Sequence, residues 1–359
     1  LHEDVKEGDT LLLNDGLISL RVDQVEGTRI HTTVVDGGIL SDHKGINLKG
    51  GGLSAPTLTD VDRENIRLAA ELDIDFLAVS FVRSGEEIEE ARRLFEAAGG
   101  SAQIVAKIER TEAVDNIDSI IAAADVIMVA RGDLGVELPL ADVPSAQKHI
   151  IRTTVSNGKP VITATQMLAS MEHNPKPTRA EASDVANAIL DGTSAVMLSG
   201  ETAVGKYPLE AVRTLSTIAM RAEASLSEYG YLQKIKPHPA NVVTESIGQA
   251  SVGMAANLKA AAIICLTETG FTSRLISNYR PDCPILAITS SQMVARKLSM
   301  NWGVIAVLYQ GEPDDDARID FAISTIKELG YAGNEDTLIV TAGHHQQAGG
   351  TDLIRVITL

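Results

Sequence analysis

Short apolar runs alternate with turn residues over the first part of the chain. They predict strands over residues 10–13, 17–22 and 29–35, with turns at Asn14-Asp15-Gly16 and Glu26-Gly27 between them. A glycine-rich segment over 44–52 follows, as is typical of a flexible hinge, and it carries two lysines. The sequence therefore predicts a small β domain over residues 1–53.

From Thr59 onwards, apolar strands alternate with amphipathic helices. Strands are predicted over 76–81, 103–108, 126–130, 160–164 and 195–198, with helices opening at Thr59, Gly85, Asn116, Pro144 and Thr178. The order βαβα is typical of α/β folds with a parallel sheet, here over residues 54–225. A (β/α)8 TIM barrel needs eight strands. Five units leave two alternatives, an open sheet or a barrel whose first three strands precede residue 1.

A polar segment with prolines near 234–240 predicts a linker to a second α/β domain over residues 226–359. That domain opens with a helix predicted over 244–258. Its strands are predicted over 262–267, 284–289, 304–308, 338–341 and 355–359.

Charge and composition narrow the function. The net charge is −17 and no basic run stands out, which argues against nucleic acid and anionic membranes as partners. A phosphorylated substrate then needs local cations, metal ions or helix N-termini. Two cysteines and no signal-like start predict a cytoplasmic protein. Leu1 is not an initiator methionine, which suggests that residues once preceded it.

The predicted barrel strands end in polar residues, on the face where βα barrels carry their active sites. Lys107 and Glu109 stand two apart on one strand, so both point to the same face. They form either a structural ion pair or a ligand site. Asp133 after Gly132 adds a second carboxylate, a donor set that suits Mg²⁺, and Thr165 adds a hydroxyl.

Several ordered motifs resemble the pyruvate kinase family over essentially the whole chain. They are Asp15-Gly16-Leu17-Ile18-Ser19-Leu20, Lys44-Gly45-Ile46-Asn47-Leu48, Ala106-Lys107-Ile108-Glu109, Met128-Val129-Ala130-Arg131-Gly132-Asp133-Leu134-Gly135, Thr163-Ala164-Thr165-Gln166-Met167 and Met197-Leu198-Ser199-Gly200-Glu201-Thr202-Ala203. The resemblance implies a TIM barrel with a small β-barrel lid inserted after its third strand and a C-terminal α/β domain for effectors and assembly. Residues 1–53 then correspond to the last part of the lid, and 54–225 to barrel strands four to eight.

The resemblance also implies the reaction and its residues. The family transfers the phosphoryl group of phosphoenolpyruvate to ADP in glycolysis, giving pyruvate and ATP. Lys107 is expected to stabilise the phosphoryl group and the enolate, and Glu109 and Asp133 to hold Mg²⁺, with Mn²⁺ as an alternative. Gly132, Asp133 and Thr165 are expected to bind the substrate carboxylate. Thr165 and Ser199 are placed near the protonation path, and Lys44 contacts ADP from the lid.

Other implications concern regulation and assembly. The family's potassium ligands and an arginine that contacts the transferring phosphate belong to strands without a counterpart here, so the 359 residues alone are expected to be inactive or unstable. A homotetramer is expected. A loop that could bind a phosphorylated allosteric effector comprises Thr267, Glu268, Thr269, Gly270, Phe271 and Thr272. Glu268 and Phe271 stand where bisphosphate-regulated members are often basic, which disfavours a bisphosphate.

Two other functions stay open at this stage. A metal-dependent carbon-carbon lyase acting through pyruvate enolate needs a similar carboxylate pair, although Lys107 and the lid argue against it. An inactive fragment could retain only effector binding and assembly. A requirement for nucleotide separates the kinase from the lyase.

Overall fold

The computed structural model describes residues 1–14, 16–42, 44–54, 56–230, 242–343 and 350–359. The chain divides into two compact units. The first comprises Leu1–Thr153 and Val161–Ser225, and the second comprises Thr154–Pro160 and Leu226–Leu359. The first unit therefore holds both the predicted β domain and the predicted barrel strands.

The strands of the described residues are β1 Thr10–Leu13, β2 Ile18–Glu26, β3 Arg29–Asp36, β4 Ile46–Leu48, β5 Phe76–Val79, β6 Gln103–Ile108, β7 Val126–Ala130, β8 Val161–Ala164, β9 Ala195–Met197, β10 Ala262–Leu266, β11 Ile285–Thr289, β12 Val304–Leu308, β13 Thr337–Ala342 and β14 Leu353–Thr358. The helices are α1 Asp60–Glu71, α2 Gly85–Ala97, α3 Thr111–Asp115, α4 Ile117–Ala123, α5 Arg131–Glu137, α6 Val143–Ser156, α7 Arg179–Leu190, α8 Gly200–Ala203, α9 Pro208–Glu223, α10 Leu226–Tyr229, α11 Val242–Leu258, α12 Phe271–Asn278, α13 Gln292–Leu298 and α14 Asp315–Glu328. A 3₁₀ turn covers Ala169–Glu172.

Strands β1 to β4 form an antiparallel sheet in the order β3-β2-β1-β4. Its small core consists of Val5, Leu11, Val22 and Leu48. β2 runs to Glu26, beyond the predicted end at residue 22, because it pairs with β3 as far as Arg29. This sheet is the predicted small β domain.

Strands β5 to β9 form a parallel sheet in chain order. Within the described residues β5 and β9 do not pair with each other, so the sheet is open and agrees with a partial barrel. β7 and β8 are buried along their whole length, as expected for parallel strands covered on both faces. Capping boxes begin α1 at Thr59 and α7 at Thr178, and the second of these confirms the predicted helix start.

The second unit contains a five-stranded sheet in the order β12-β11-β10-β13-β14. Its first four strands are parallel, and β14 runs antiparallel to β13 at the edge. Ile264, Leu286, Ile288, Leu338 and Val340 are fully buried and belong to the core on one face of this sheet. The α/β class predicted for this part of the chain is confirmed.

Most predicted elements shift by no more than two residues. Helices that the sequence analysis did not name include α3, α9 and α14. In addition, α5 begins at Arg131, directly after β7, where the sequence suggested a glycine turn. The predicted linker at 234–240 and Asp15 of the first motif lie outside the described residues. Among the described helices, none is long and apolar enough to cross a membrane.

Candidate active site

The carboxyl end of β6 brings a lysine and a carboxylate together. Lys107 Nζ lies 2.5 Å from Glu109 Oε1 and donates a hydrogen bond of 2.7 Å to Ser80 Oγ, beyond the end of β5. The Glu109 residue is only 1% exposed. Its other oxygen, Oε2, accepts the backbone N–H of Phe81 at 2.7 Å. The predicted pairing of Lys107 and Glu109 is therefore present at the end of the strand.

The surroundings of Glu109 disfavour its ionised form. Burial raises its pKa above the usual value, Lys107 and the Phe81 N–H oppose that rise, and the nearby Asp133 charge adds to it. Oε1 is buried and forms an ion pair with the ammonium of Lys107. A carboxylate oxygen has more than one lone pair, so this oxygen can also accept a metal cation.

The next strand end supplies backbone amides. Gly132 lies in the first turn of α5, and its N–H donates a 2.8 Å hydrogen bond to Thr165 Oγ1 from the end of β8. The Thr165 hydroxyl in turn donates to the carbonyl of Ala164 at 2.7 Å. Asp133 follows in the same helical turn. The structure thus places Gly132, Asp133 and Thr165 on neighbouring strand ends, as predicted.

Thr165 and Gln166 adopt left-handed backbone conformations, with φ of 65° and 53°. Such conformations are costly for non-glycine residues and persist where the surroundings hold them. Arg131, 8% exposed, does so here, because its Nη2 donates to the Thr165 carbonyl at 2.8 Å. Its Nη1 lies 2.5 Å from Asp184 Oδ2 on α7.

Sequence reasoning did not assign a role to Arg131, although the residue lies inside one of the quoted motifs. A charged residue between a wholly apolar strand and a glycine is the signal that could have found it.

Ser199 follows β9 and precedes α8, at the next strand end along the sheet. Its backbone N–H donates to Glu201 Oε2 at 2.9 Å. Glu201 is 2% exposed, and its second oxygen accepts the Leu168 N–H at 3.0 Å. Glu201 was quoted in a motif but given no role, and only the fold reveals that it joins two strand ends.

The carboxyl ends of β5 to β9 and the residues that directly follow them form the rim of this sheet. The oxygen donors at this rim suit a hard cation such as Mg²⁺. The described residues hold no group of three or more His, Cys, Asp and Glu side chains that could bind a metal alone. Glu109 and Asp133 are close enough for their charges to interact, and carboxylate oxygens of both can ligate a metal ion. The residues therefore fit a metal ion whose remaining ligands come from substrate and water.

Lys44 stands apart from these residues. It is exposed, in the loop before β4, and the described contacts of the rim do not include it.

The predicted effector loop of the second unit lies between β10 and α12. Gly270 caps α12 with φ of 75°, and a Cβ at this position would lie 2.8 Å from Leu298 Cδ2, so glycine is required there. Glu268 accepts hydrogen bonds on both oxygens, from Arg318 Nη2 and from Ser290 Oγ, each at 2.6 Å. Residues 344–349 of the second unit lie outside the described residues.

The chain matches known protein families along most of its length. Residues 1–212 match the family model described as pyruvate kinase, barrel domain, and residues 245–357 match pyruvate kinase, alpha/beta domain. The chain is 46% identical to a pyruvate kinase of Sporosarcina psychrophila over 360 residues, covering 99% of this chain and 61% of that protein.

A pyruvate kinase of Clostridium acetobutylicum is 44% identical, with 98% of this chain and 74% of that protein covered. A third, from Geobacillus stearothermophilus, is 46% identical over 99% of this chain and 61% of its own length. The chain therefore spans about three fifths to three quarters of the length of these relatives. Matches of both domain models along the chain, together with these identities, establish that it belongs to the pyruvate kinase family.

Proposed function

We propose that the full-length protein transfers the phosphoryl group of phosphoenolpyruvate to ADP, giving pyruvate and ATP in glycolysis. By full-length protein we mean this chain together with any residues of the natural protein that lie outside it. The observation that carries the proposal is the rim on which Lys107, Glu109, Asp133, Gly132 and Thr165 meet. Relatives at about 45% identity are named pyruvate kinase.

Lys107 is the cation of the reaction. The phosphoryl group leaves the enol oxygen of phosphoenolpyruvate and forms a bond to the terminal phosphate of ADP, and the enolate of pyruvate remains. Both the group in transit and the enolate oxygen are anionic, so an ammonium positioned in advance stabilises them. Ser80 and Glu109 fix the position of Lys107 Nζ.

Glu109 and Asp133 are the proposed ligands of Mg²⁺, with Mn²⁺ as an alternative. The bound ion would supply positive charge that stabilises the anionic substrate. Burial raises the pKa of Glu109 even beside Lys107, so the charge of this carboxylate would be stabilised further by a metal cation. The potassium ligands of the family are proposed to lie in the preceding strands.

Gly132, Asp133 and Thr165 are proposed to bind the carboxylate of phosphoenolpyruvate. The amides lie in the first turn of α5, where backbone N–H groups lack helical partners. The Gly132 N–H already donates to Thr165 Oγ1, which brings the two binding groups within 2.8 Å of each other.

Protonation of the enolate completes the reaction. The enolate takes one proton at C3 to become pyruvate, and Thr165 and Ser199 are proposed to lie on the proton path. Lys44 is proposed to reach the phosphates of ADP from the small β domain, which its exposed position allows.

Assembly and regulation are proposed on the family relationship alone. They comprise a cytoplasmic homotetramer and a phosphorylated effector at the loop of Thr267 to Thr272. The Glu268–Arg318 pair supports the view that this loop does not bind a bisphosphate, because the buried guanidinium of Arg318 is already paired with a carboxylate.

Pyruvate formation from phosphoenolpyruvate, ADP and Mg²⁺ tests the proposal in the full-length protein. Lys107→Met is expected to lower kcat at least about 100-fold. Lys148→Met is the matched control, because Lys148 pairs with Asp191 on a helix away from the rim. Full activity in Lys107→Met would overturn the proposal.

Assays of the 359-residue chain and of the full-length protein together separate the kinase from a protein that retains only effector binding and assembly. We expect no turnover from the 359-residue chain alone. If the full-length protein is inactive as well, the alternative of a protein that retains only effector binding and assembly is favoured.

A further inference from the structure

Two neighbouring strand ends at the rim are joined by a single buried carboxylate. Glu201 Oε1 accepts the N–H of Leu168, which follows β8, and Glu201 Oε2 accepts the N–H of Ser199, which follows β9. The side chain is almost completely buried, at 2% exposure. An ionised carboxylate in such a place forms strong hydrogen bonds with backbone N–H groups and fixes both of them.

The two strand ends depend on Glu201 to different extents. After β8, Arg131 binds the Thr165 carbonyl and the Gly132 N–H binds the Thr165 hydroxyl, so Thr165 keeps its left-handed conformation through contacts of its own. At the end of β9, the described hydrogen bond that ties the Ser199 backbone to the β8 end is the one to Glu201. Loss of Glu201 should therefore release Ser199 and leave Thr165 in place.

We infer that Glu201 is a positioning residue that holds Ser199 for protonation of the pyruvate enolate, an inference that rests on the proposed function. Glu201 does not touch the reacting atoms. It sets the position of the Ser199 backbone, and thereby of its hydroxyl, relative to the Thr165 segment.

This role separates the two halves of the reaction. Phosphoryl transfer depends on Lys107 and on the substrate-binding groups near Thr165, which Glu201 does not contact. Proton transfer at C3 depends on a hydroxyl within reach of that carbon, and a small displacement can cost a large factor in rate. By microscopic reversibility, the same path removes a C3 proton from pyruvate, so the methyl protons of pyruvate exchange with deuterium in heavy water.

Glu201→Gln in the full-length protein tests the inference. Glutamine has nearly the same shape but one acceptor oxygen and an NH₂ donor, so one of the two backbone N–H groups loses its partner. NMR follows exchange of the pyruvate methyl protons in heavy water with Mg²⁺ and ATP. We expect exchange and kcat to fall about 10- to 100-fold, with KM for phosphoenolpyruvate changed less than about threefold.

Glu172→Gln is the matched control. The Glu172 carboxylate lies so close to Gly200 that a side chain there would collide with it, yet the described hydrogen bonds of Ser199 and Leu168 do not involve it. Exchange in this variant should stay within about threefold of the unsubstituted protein. Equal loss in both variants, or unchanged exchange in Glu201→Gln, would overturn the inference.

Ser199→Ala provides a second measurement that holds if Glu201→Gln folds poorly. Glu201→Asp, which keeps the charge but shortens the reach, is then combined with Ser199→Ala in a double-mutant cycle. If Glu201 acts through Ser199, its substitution should add less than about threefold to the loss in exchange already caused by Ser199→Ala. Independent, multiplying losses would contradict the inference. An unsubstituted protein without pyruvate formation would instead refute the proposed function.

Discussion

Two carboxylates that follow strand ends, one in each unit, differ in how their charge is balanced. In the first unit, Glu109 is paired with Lys107, and burial still raises its pKa. In the second unit, Glu268 is partly exposed, both of its oxygens accept hydrogen bonds, and the buried Arg318 balances its charge. A buried carboxylate whose ionised form remains disfavoured can bind a further cation, whereas a carboxylate that neutralises a buried guanidinium stabilises the fold. Four predictions test this difference.

The largest effect is expected at Glu109, the carboxylate of the first unit. Glu109→Gln should lower kcat/KM for phosphoenolpyruvate by about 10² to 10³-fold in the full-length protein, because a proposed metal ligand is lost. The free energy of unfolding should not fall, since burial disfavours the ionised form of Glu109. Steady-state kinetics with varied Mg²⁺ and urea unfolding measure the two effects. Glu90→Gln, which alters a more exposed pair with Arg63, is the control. If Glu109→Gln folds stably and its kcat/KM stays within tenfold of the unsubstituted protein, Glu109 is not part of the site.

Substitution of Glu268, the carboxylate of the second unit, should affect stability instead. Glu268→Gln should lower the free energy of unfolding of the second unit by about 1–3 kcal/mol, because the guanidinium of Arg318, 4% exposed, loses the nearer of its two carboxylate partners. Trp302 is the only tryptophan of the chain and lies in this unit, so its fluorescence follows urea unfolding. Asp316→Asn removes an exposed pair with Arg355 and should cost less than about 0.5 kcal/mol. Similar losses in both variants would contradict the comparison.

A smaller, pH-dependent effect is expected at Glu181. Burial favours a higher pKa for this carboxyl, but hydrogen bonds from Ser170 and Thr178 hold its pKa below the usual value of 4.5. Its contribution to stability is therefore present above pH 4.5 and is lost as the pH falls through the lowered pKa. Glu181→Gln should cost about 1 kcal/mol at pH 7, and the difference should vanish in acid. Thermal unfolding across the pH range measures it, and a constant difference at all pH values would contradict it.

The smallest effect concerns the two neutral thiols of the second unit. Burial raises the pKa of Cys265 and of Cys283 to about 11. Both should therefore react slowly with iodoacetamide near neutral pH, with a rate that rises about tenfold per pH unit below that pKa. Mass spectrometry should find Cys283 modified first, because Cys265 is fully buried. Fast labelling of Cys265 in the folded chain would contradict this packing.

Local patterns in the sequence predicted most of the strands of the fold. The strands over 103–108, 126–130 and 304–308 match in full, because continuous apolar runs between turn residues leave few alternatives. Thr178 and Glu181 specified a helix start through contacts three residues apart. The end of β2 was predicted short, because pairing with β3 decides where it stops.

The candidate site divides in the same manner. The sequence by itself determined that Lys107 and Glu109 share a face and that Gly132, Asp133 and Thr165 follow neighbouring strands, since period-two geometry and parallel strand order require it. Only the tertiary structure decided that Arg131 holds the left-handed Thr165, that Glu201 joins the β8 and β9 ends, and that Arg318 neutralises Glu268. These contacts join residues 33 to 50 positions apart. Hydrogen bonds and ion pairs act over a few ångströms in space, so no local spacing in the chain encodes them.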